Sequence, residues 1–346
     1  MNTQVINTQR QQEAGTRAGA EIIKNGGLVA FPTETVYGLG ANGLDADAVM
    51  RIFEAKGRPA DNPLILHVSK KSDVRALWLR IPDVARRLMD TFWPGPLTII
   101  LPRTDAVPDA VTAGLDTVAV RMPSENTAHM LIAKAGVPIA APSANRSGRP
   151  SPTTAQHVLN DMDGRIPLIL DGGKCKYGVE STVILLTGKP RILRPGAVTK
   201  EMLEAVIGAV DVDKSVLHPL AEGAAASSPG MKYRHYAPSC EVRIVNGDPA
   251  AVAKKINSLY VDAENEGRYC EICATEQTKR FYKGKKHVIL GDRLMPETLC
   301  QNLFLSLREM EQRCDLILAE GIPAEDAGLA YMNRLLRAAG FQMINA

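Results

Sequence analysis

The sequence predicts an α/β protein made of two units that differ in size. Its 346 residues are 45% hydrophobic, which is enough to bury more than one core. Short β-rich runs alternate with amphipathic helical segments over residues 1–212, and a similar alternation resumes over 240–346. Between them, 213–239 breaks the pattern and includes an Ala-, Gly- and Ser-rich stretch, 221–228, that is typical of a linker. We therefore predict a larger first domain, a linker and a smaller second domain.

The first domain contains many apolar or β-branched runs of strand length. Asp45 is placed to cap a helix over 48–55. A second helix, over 84–92, must end at 93–96 (WPGP), because proline cannot continue a helix. So many strands in one block favour a single α/β sheet. The predicted strands are 28–31, 64–68, 97–101, 118–121, 139–141, 168–170, 182–186 and 191–193.

The second domain repeats the strand–helix alternation on a smaller scale. Its apolar runs are separated by segments with helical spacing, which is typical of a Rossmann-like α/β unit. The predicted strands are 242–245, 268–274, 288–290 and 316–319, and the predicted helices are 249–261, 297–312 and 327–339.

Charge and targeting signals exclude several classes of protein. The net charge of +3 is too small to indicate nucleic-acid or membrane binding through bulk electrostatics. No apolar run approaches the roughly 20 residues that cross a bilayer. Residues 1–20 have neither the basic region nor the apolar region of a secretory leader. We therefore expect a cytoplasmic protein that does not enter membranes.

The cysteines indicate reduced thiols rather than a disulfide scaffold. There are six in a long chain, and only Cys270 and Cys273 form a C-x-x-C pair. That pair lies in an apolar run with no second pair and no histidine partner, so we expect buried core cysteines rather than a zinc or redox site.

Two familiar nucleotide-binding motifs can be tested on the sequence. The pattern G-x-x-x-x-G-K-[ST] does not occur, which excludes a P-loop. Residues 38–43 (GLGANG) match G-x-G-x-x-G between a predicted strand and a predicted helix. However, the acidic residue at suitable spacing, Asp61, precedes its strand, whereas a ribose-binding carboxylate should follow one. A dinucleotide site is therefore disfavoured.

Loops of the first domain instead collect small polar side chains and cations. Lysine and arginine neutralise phosphate, and hydroxyl, amide and backbone N–H groups fix its oxygens. Because ligands of open α/β sheets bind outside the carboxyl ends of strands, we expect these loops to meet at one such edge around an anionic ligand. They are 32–38 (PTETVYG), 56–59 (KGRP) with 62–64 (NPL), Arg121, 142–151 (PSANRSGRPS) and 194–196 (RPG).

These segments resemble the YrdC-like threonylcarbamoyl-AMP synthase family. The resemblance rests on 32–40 (PTETVYGLG), 56–64, 141–145 (APSAN), 181–183 (STV) and 194–196, with 228–238 (SPGMKYRHYAP) and the second domain matching the two-domain form of that family. It covers essentially the whole chain. It implies a YrdC-like twisted, open, mixed sheet with helices, followed by a smaller Rossmann-like α/β domain.

The resemblance also implies roles for individual residues. The Lys-x-Arg…Ser…Asn signature of the family falls on the catalytic candidates Lys56, Arg58, Ser143 and Asn145. The implied L-threonine contacts are Thr35, His67, Arg121, Ala141 and Ser181. The implied ATP contacts are Arg58, Asn62, Thr117, Ser143, Ser151, Arg194 and Tyr236.

The implied activity is L-threonylcarbamoyladenylate synthesis. L-threonine, bicarbonate or CO2, and ATP would give threonylcarbamoyl-AMP and pyrophosphate, the first step of threonylcarbamoyladenosine formation in tRNAs that decode ANN codons. Such a nucleotidyltransferase must align its substrates and neutralise the charge that builds on the phosphate oxygens, and it does not require an enzyme nucleophile. The implied partners are separate tRNA threonylcarbamoyl transferase proteins, with at most weak contact to tRNA itself.

Two further expectations concern the metal and a mobile cover for the site. Mg2+ would be carried mainly by the ATP phosphates, since no protein metal site is evident and Asp45 and Asp47 suit helix capping better. Residues 228–238 would form a lid, with Tyr236 and the pair Lys232 and Arg234 shielding the polyphosphate. We expect His67 to bind threonine rather than act as a general base.

Two other functions remain open from the sequence. An RNA-binding module would show salt-dependent RNA binding without small substrates. A related enzyme could transfer a carbamoyl adenylate to another acceptor, as the YrdC-like domain of hydrogenase-maturation proteins does, but their acylphosphatase and zinc-finger modules are not found in these 346 residues.

Overall fold

The structure, a computed structural model, describes residues 2–219 and 236–346. They divide into two compact units. The first holds residues 2–147 and 151–216, and the second holds 148–150, 217–219 and 236–346. Lys232, Arg234 and most of the predicted linker and lid lie outside the described residues. The predicted domain boundaries at 212 and 239 stay a prediction.

The first unit alternates strands with helices along most of its length. Short 3₁₀ turns lie at Lys71–Ala76 and Lys214–Val216. The helices are α1 (Thr8–Lys24), α2 (Ala46–Lys56), α3 (Asp83–Phe92), α4 (Asp109–Thr112), α5 (Asn126–Ala135), α6 (Ala155–Met162) and α7 (Lys200–Ile207). The strands are β1 (Gln4–Asn7), β2 (Val29–Phe31), β3 (Gly38–Asn42), β4 (Ile65–His67), β5 (Leu97–Pro102), β6 (Thr117–Arg121), β7 (Ile139–Ala140), β8 (Leu168–Asp171), β9 (Thr182–Leu185), β10 (Arg191–Arg194) and β11 (Asp211–Val212).

These strands form one mixed sheet in the order β1-β8-β2-β3-β7-β4-β6-β5-β9-β10-β11. The sheet contains parallel pairs, such as β4 with β6, and antiparallel pairs, such as β5 with β6. The predicted open mixed sheet is confirmed. Among the strands that precede the predicted site loops, β2 and β7 run in one direction and β6 and β10 in the other, so their carboxyl ends do not share an edge. The expectation that the site loops meet at one carboxyl edge is therefore wrong.

The glycine-rich segment at residues 38–43 contains a strand that was not predicted, and it agrees with the interpretation that disfavoured a dinucleotide site. Residues Gly38–Asn42 form β3, which pairs antiparallel with β2 as the second arm of a hairpin. A dinucleotide fingerprint requires a turn that leads from a strand directly into a helix, so the structure removes that reading.

Hydrophobic side chains cover both faces of this sheet. Val29 and Phe31 of β2 pack into a cluster with Leu131 of α5, whereas Ala30 between them joins a larger cluster with Ile52 of α2. Side chains alternate between the two faces of a strand, so one strand supplies both cores.

The second unit is a parallel five-stranded sheet in the order β14-β13-β15-β12-β16. All its strand pairs are parallel, as expected for Rossmann-like alternation. Cys270 and Cys273 are buried in β13, as predicted. The elements are β12 (Glu241–Asn246), α8 (Pro249–Asn265), β13 (Cys270–Thr275), a 3₁₀ turn (Lys279–Tyr282), β14 (His287–Gly291), α9 (Pro296–Met310), β15 (Leu316–Glu320), α10 (Asp326–Ala338) and β16 (Met343–Asn345).

Among the described residues, no helix combines the length and the apolar character that a bilayer crossing requires.

Candidate active site

The residues of the Lys-x-Arg…Ser…Asn signature meet where α2 ends. Gly57 adopts a left-handed conformation (φ 61°) that ends the helix just after Lys56. The Lys56 ammonium is buried and donates to the backbone carbonyls of Ser143 (2.5 Å) and Asn145 (2.7 Å). The Ser143 hydroxyl donates to Oδ1 of Asn145 at 2.5 Å. Lys56 therefore fixes the loop that carries the other two residues.

Arg58 and Asn62 lie side by side on the next loop. The Arg58 guanidinium donates to the Asn62 carbonyl at 2.9 Å and lies 5.5 Å from the centre of the Phe53 ring. Asn62 is fully buried, and neither its Oδ1 nor its Nδ2 has a hydrogen-bond partner among the described residues. Buried amides are normally bonded, so an unsatisfied one is a candidate ligand contact.

Arg121, the predicted partner of the threonine carboxylate, is held from three sides. Its guanidinium donates to the Thr35 hydroxyl at 2.9 Å and to the Gly95 carbonyl at 3.3 Å. Its third nitrogen forms an ion pair with the carboxylate of Glu34 at 2.7 Å. Arg121 and Glu34 are both buried, at 4% and 6% exposure.

A row of polar side chains crosses one face of the sheet. His67, Arg121 and Thr98 are opposite one another on β4, β6 and β5, and residues in such register project to the same face. His67 packs edge-on against Phe31, with ring centres 6.3 Å apart. Burial, followed by the positive charge of Arg121, lowers the pKa of His67 to about 3. His67 is therefore neutral near pH 7 and suits hydrogen bonding to substrate.

Thr98, Ser181 and Arg194 form one hydrogen-bonded chain. The hydroxyls of Thr98 and Ser181 are 2.7 Å apart, and Arg194 donates to the carbonyl and the hydroxyl of Ser181 at 3.0 and 3.1 Å. Gly196 completes this turn, because a Cβ there would stand 2.5 Å from the backbone nitrogen of Thr182. A predicted threonine contact and a predicted ATP contact thus touch directly.

The remaining predicted residues are less closely joined to these clusters. The Ser151 hydroxyl donates to Glu180. Ala141 is buried, and its N–H donates to the Ile65 carbonyl at 3.0 Å. Thr117 begins β6, and among the described residues no hydrogen bond joins its side chain to another predicted site residue.

Tyr236 belongs to the second unit. It adopts a left-handed backbone conformation (φ 65°), which is unusual for a residue other than glycine. Its ring lies 5.1 Å from that of Phe304 and under the guanidinium of Arg334 at 5.6 Å. Its predicted contact with ATP stays a prediction.

Sequence reasoning missed three polar residues of this region. Glu34, Thr98 and Glu180 each bond directly to a predicted site residue, namely Arg121, Ser181 and Ser151. Glu34 lies inside the quoted motif PTETVYGLG, so the signal was present. Thr98 lies within an apolar run, so its sequence context gave no sign of a site residue. Only the strand register shows which face of the sheet its side chain occupies.

The described residues offer little to hold a metal of their own. No group of three or more histidine, cysteine, aspartate or glutamate side chains among them could hold an ion. Asp45 instead accepts the N–H groups of Asp47 (3.0 Å) and Ala48 (3.1 Å), as the predicted cap of α2.

Comparisons with known proteins cover both units. Residues 21–196 match the Sua5/YciO/YrdC family, described as "Telomere recombination", and residues 198–340 match the family described as "Threonylcarbamoyl-AMP synthase, C-terminal domain". The chain is 49% identical to the threonylcarbamoyl-AMP synthase of Pyrococcus abyssi over 99% of both chains. It is 47% identical to that of Bacillus subtilis over 94% of this chain and 93% of the relative.

Solved structures agree with these sequence matches. A variant of P. abyssi Sua5 with adjacent histidine and tyrosine replaced by alanine superposes with a TM-score of 0.94 at 47% identity, covering 99% of this chain and 98% of that one. P. abyssi Sua5 complexed with L-threonine superposes with a TM-score of 0.92 at 46% identity, covering 99% of this chain and 100% of that one. Two matching domains in the same order, near-complete coverage and high identity place the chain in one family: it belongs to the threonylcarbamoyl-AMP synthases of the Sua5/YrdC type.

Proposed function

We propose that this chain is an L-threonylcarbamoyladenylate synthase, a nucleotidyltransferase that forms threonylcarbamoyl-AMP and pyrophosphate from L-threonine, bicarbonate or CO2, and ATP. The observation that carries the proposal is the single cluster formed by Lys56, Ser143 and Asn145, with Arg58 and Asn62 on the adjoining loop. The names of the full-length relatives point to the same product.

The threonine end of the site uses the polar row on the sheet. Arg121 has the planar donor geometry that binds a carboxylate through two nitrogens. Thr35 adds a hydroxyl beside it, Ser181 adds one next to Thr98 on the neighbouring strand, and neutral His67 adds a ring nitrogen without adding charge. An L-threonine complex of P. abyssi Sua5 supports this assignment.

The nucleotide end uses the cations near α2 and β10. The threonine nitrogen adds to CO2, and an oxygen of the resulting carbamate attacks the α-phosphorus of ATP while the bond to pyrophosphate breaks. Carbamate and triphosphate are both anionic, so cations must offset their repulsion. Arg58 and Arg194 would supply this positive charge, and Lys56 holds the Ser143–Asn145 loop through its bonds to the two carbonyls. Mg2+ would enter on the ATP phosphates and supply further charge neutralisation.

The product would then leave for a separate tRNA threonylcarbamoyl transferase, as the first step in modifying tRNAs that decode ANN codons. We place this step in the cytoplasm, and any contact of the chain with tRNA itself would be weak.

The test is product analysis with two double variants. Purified protein is incubated with ATP, Mg2+, L-threonine and labelled bicarbonate, and nucleotides are resolved by rapid chromatography with mass detection. We expect label in a threonine-containing adenylate, lost in Lys56→Ala/Arg58→Ala. The control Arg17→Ala/Lys24→Ala removes two exposed cations of α1 and should retain activity. Pyrophosphate without the labelled adenylate would refute the proposal.

A further inference from the structure

Glu34 carries a buried negative charge whose only ion pair among the described residues is with Arg121. The two side chains are 2.7 Å apart and more than nine-tenths buried. Placing two charges out of water is costly, and the cost is recovered only when the remaining polar atoms are also bonded.

The carboxylate of Glu34 does not meet that condition. Neither of its oxygens accepts a hydrogen bond of normal geometry from the described residues. The nearby carboxylate of Glu125 differs, because it accepts the N–H of Ala128 at 2.7 Å and caps α5. Apart from its ion pair with Arg121, Glu34 therefore has acceptor capacity that no hydrogen bond from the described residues uses, beside the cation that is proposed to bind substrate.

A zwitterion supplies what this pair lacks. Arg121 offers donors to a carboxylate, and Glu34 offers an acceptor to an ammonium group, while free L-threonine carries both groups on one carbon. Opposite charges that lie next to each other in the protein match opposite charges that lie next to each other in the ligand.

We propose that Glu34 binds the amino group of L-threonine while Arg121 binds its carboxylate. This inference rests on the proposed function, and it adds a specificity-determining residue to it. The nitrogen held by Glu34 is the atom that becomes the carbamate nitrogen. The ammonium first gives one proton to bicarbonate, which becomes CO2 and water, and the amine then attacks that CO2 and loses a second proton to solvent. The carbamate keeps one N–H, for which Glu34 remains the acceptor, so the contact persists through the reaction.

The test compares two ligands that differ only at this nitrogen. Calorimetry without ATP measures the binding of L-threonine and of its analogue with a hydroxyl in place of the amine, 2,3-dihydroxybutanoate of matching configuration. For the wild-type protein we expect L-threonine to bind about 10- to 100-fold more tightly, the range of a charge-assisted hydrogen bond. Equal affinity would overturn the inference without any variant.

Glu34→Gln then separates a direct contact from support of Arg121. We expect it to lose about 10- to 100-fold in affinity for L-threonine and little for the analogue. An equal loss for both ligands would mean that Glu34 acts only through Arg121, and the inference would fail. Glu125→Gln is the matched control, because it removes a neighbouring charge that is already bonded, and it should keep the wild-type discrimination.

Failure of this inference is distinguishable from failure of the proposed function. If the wild-type protein makes the labelled adenylate but does not discriminate between the two ligands, only the role of Glu34 is wrong. If it neither binds L-threonine nor makes the adenylate, the proposed function itself is wrong.

Discussion

The side chain of Asn62 carries a local cost in stability. Its side-chain amide is fully buried, and neither polar atom is bonded among the described residues. Leaving a buried polar group without partners costs about 1–3 kcal/mol. A nucleotide that bonded to this amide would recover that cost on binding, which is why residues of this kind are found at ligand sites.

Replacing Asn62 with leucine should separate the two effects. We expect Asn62→Leu to raise the free energy of unfolding by about 1 kcal/mol, because the unsatisfied amide is gone. The affinity for ATP should fall by about tenfold, the value of one hydrogen bond. Denaturant titration and calorimetry with ATP measure the two quantities.

The control is a buried asparagine whose amide is bonded. Asn145 donates to the Arg146 carbonyl at 2.8 Å and accepts from Ser143, so Asn145→Leu should lower the free energy of unfolding. If Asn62→Leu destabilised the protein as much as Asn145→Leu, the amide of Asn62 would have partners in solution that the described residues do not provide.

At the scale of elements, the two ends of α2 place the signature residues. Asp45 caps the first turn through two backbone N–H groups, and Gly57 ends the helix so that the chain turns directly after Lys56. The helix is thereby fixed at both ends, and the Lys56 ammonium is aimed at the loop of Ser143.

Removal of the Asp45 cap should lower the stability of the protein without changing the Mg2+ concentration that activity requires. We expect Asp45→Ala to lower the free energy of unfolding by about 1 kcal/mol, the usual value of such a cap. Asp47→Ala, which removes an exposed charge of the first turn, should lower the free energy of unfolding by only a few tenths of a kcal/mol, about 0.3. Thermal unfolding measures both. If either variant required a different Mg2+ concentration for activity, that result would instead indicate that the replaced residue is a metal ligand.

Elements with clear start or stop signals could be predicted, and some elements without such signals could not. Helices α2 and α3 were predicted because a cap and a proline-rich stop flank them. Strand β3 was missed because it is rich in glycine, which usually interrupts strands. Gly40 is nevertheless required there, because a Cβ would lie 2.7 Å from Ile139 and 2.8 Å from Phe31. The lack of space for a Cβ at Gly40 is due to residues that are distant in the sequence, so it could not be predicted from the neighbouring residues.

Helix α1 was missed for a similar reason. The buried stripe of α1 consists mainly of small residues such as Gly15, Gly19 and Ala20, which give little hydrophobic signal. The site residues of the quoted motifs could be located from sequence, but the pairing of Glu34 with Arg121 depends on the fold, which brings them to 2.7 Å across 87 positions.

At the scale of the whole molecule, each of the two units forms its own sheet among the described residues. The large sheet contains only strands from residues 4–212, and the parallel sheet contains only strands from 241–345. The hydrophobic clusters divide in the same way, since the cluster with Val245 and Leu318 draws on the second unit alone.

This division predicts that residues 1–219 fold when expressed without the rest of the chain. We expect cooperative thermal unfolding by circular dichroism and retained binding of L-threonine, whose predicted contacts all lie in this part. Binding of ATP should weaken relative to the full chain if Tyr236 contributes to it. A truncated chain that showed no cooperative transition would contradict the independence of the first unit.

The hydrogen-bonded chain of Thr98, Ser181 and Arg194 affects how mutational data should be interpreted. A substitution at Ser181 alters a neighbour on each side, so its effects should not add to those of a change at Arg194. A rise in the KM for one substrate would then fail to identify which substrate Ser181 touches. Only a double-mutant cycle measured separately for each substrate can assign these three residues.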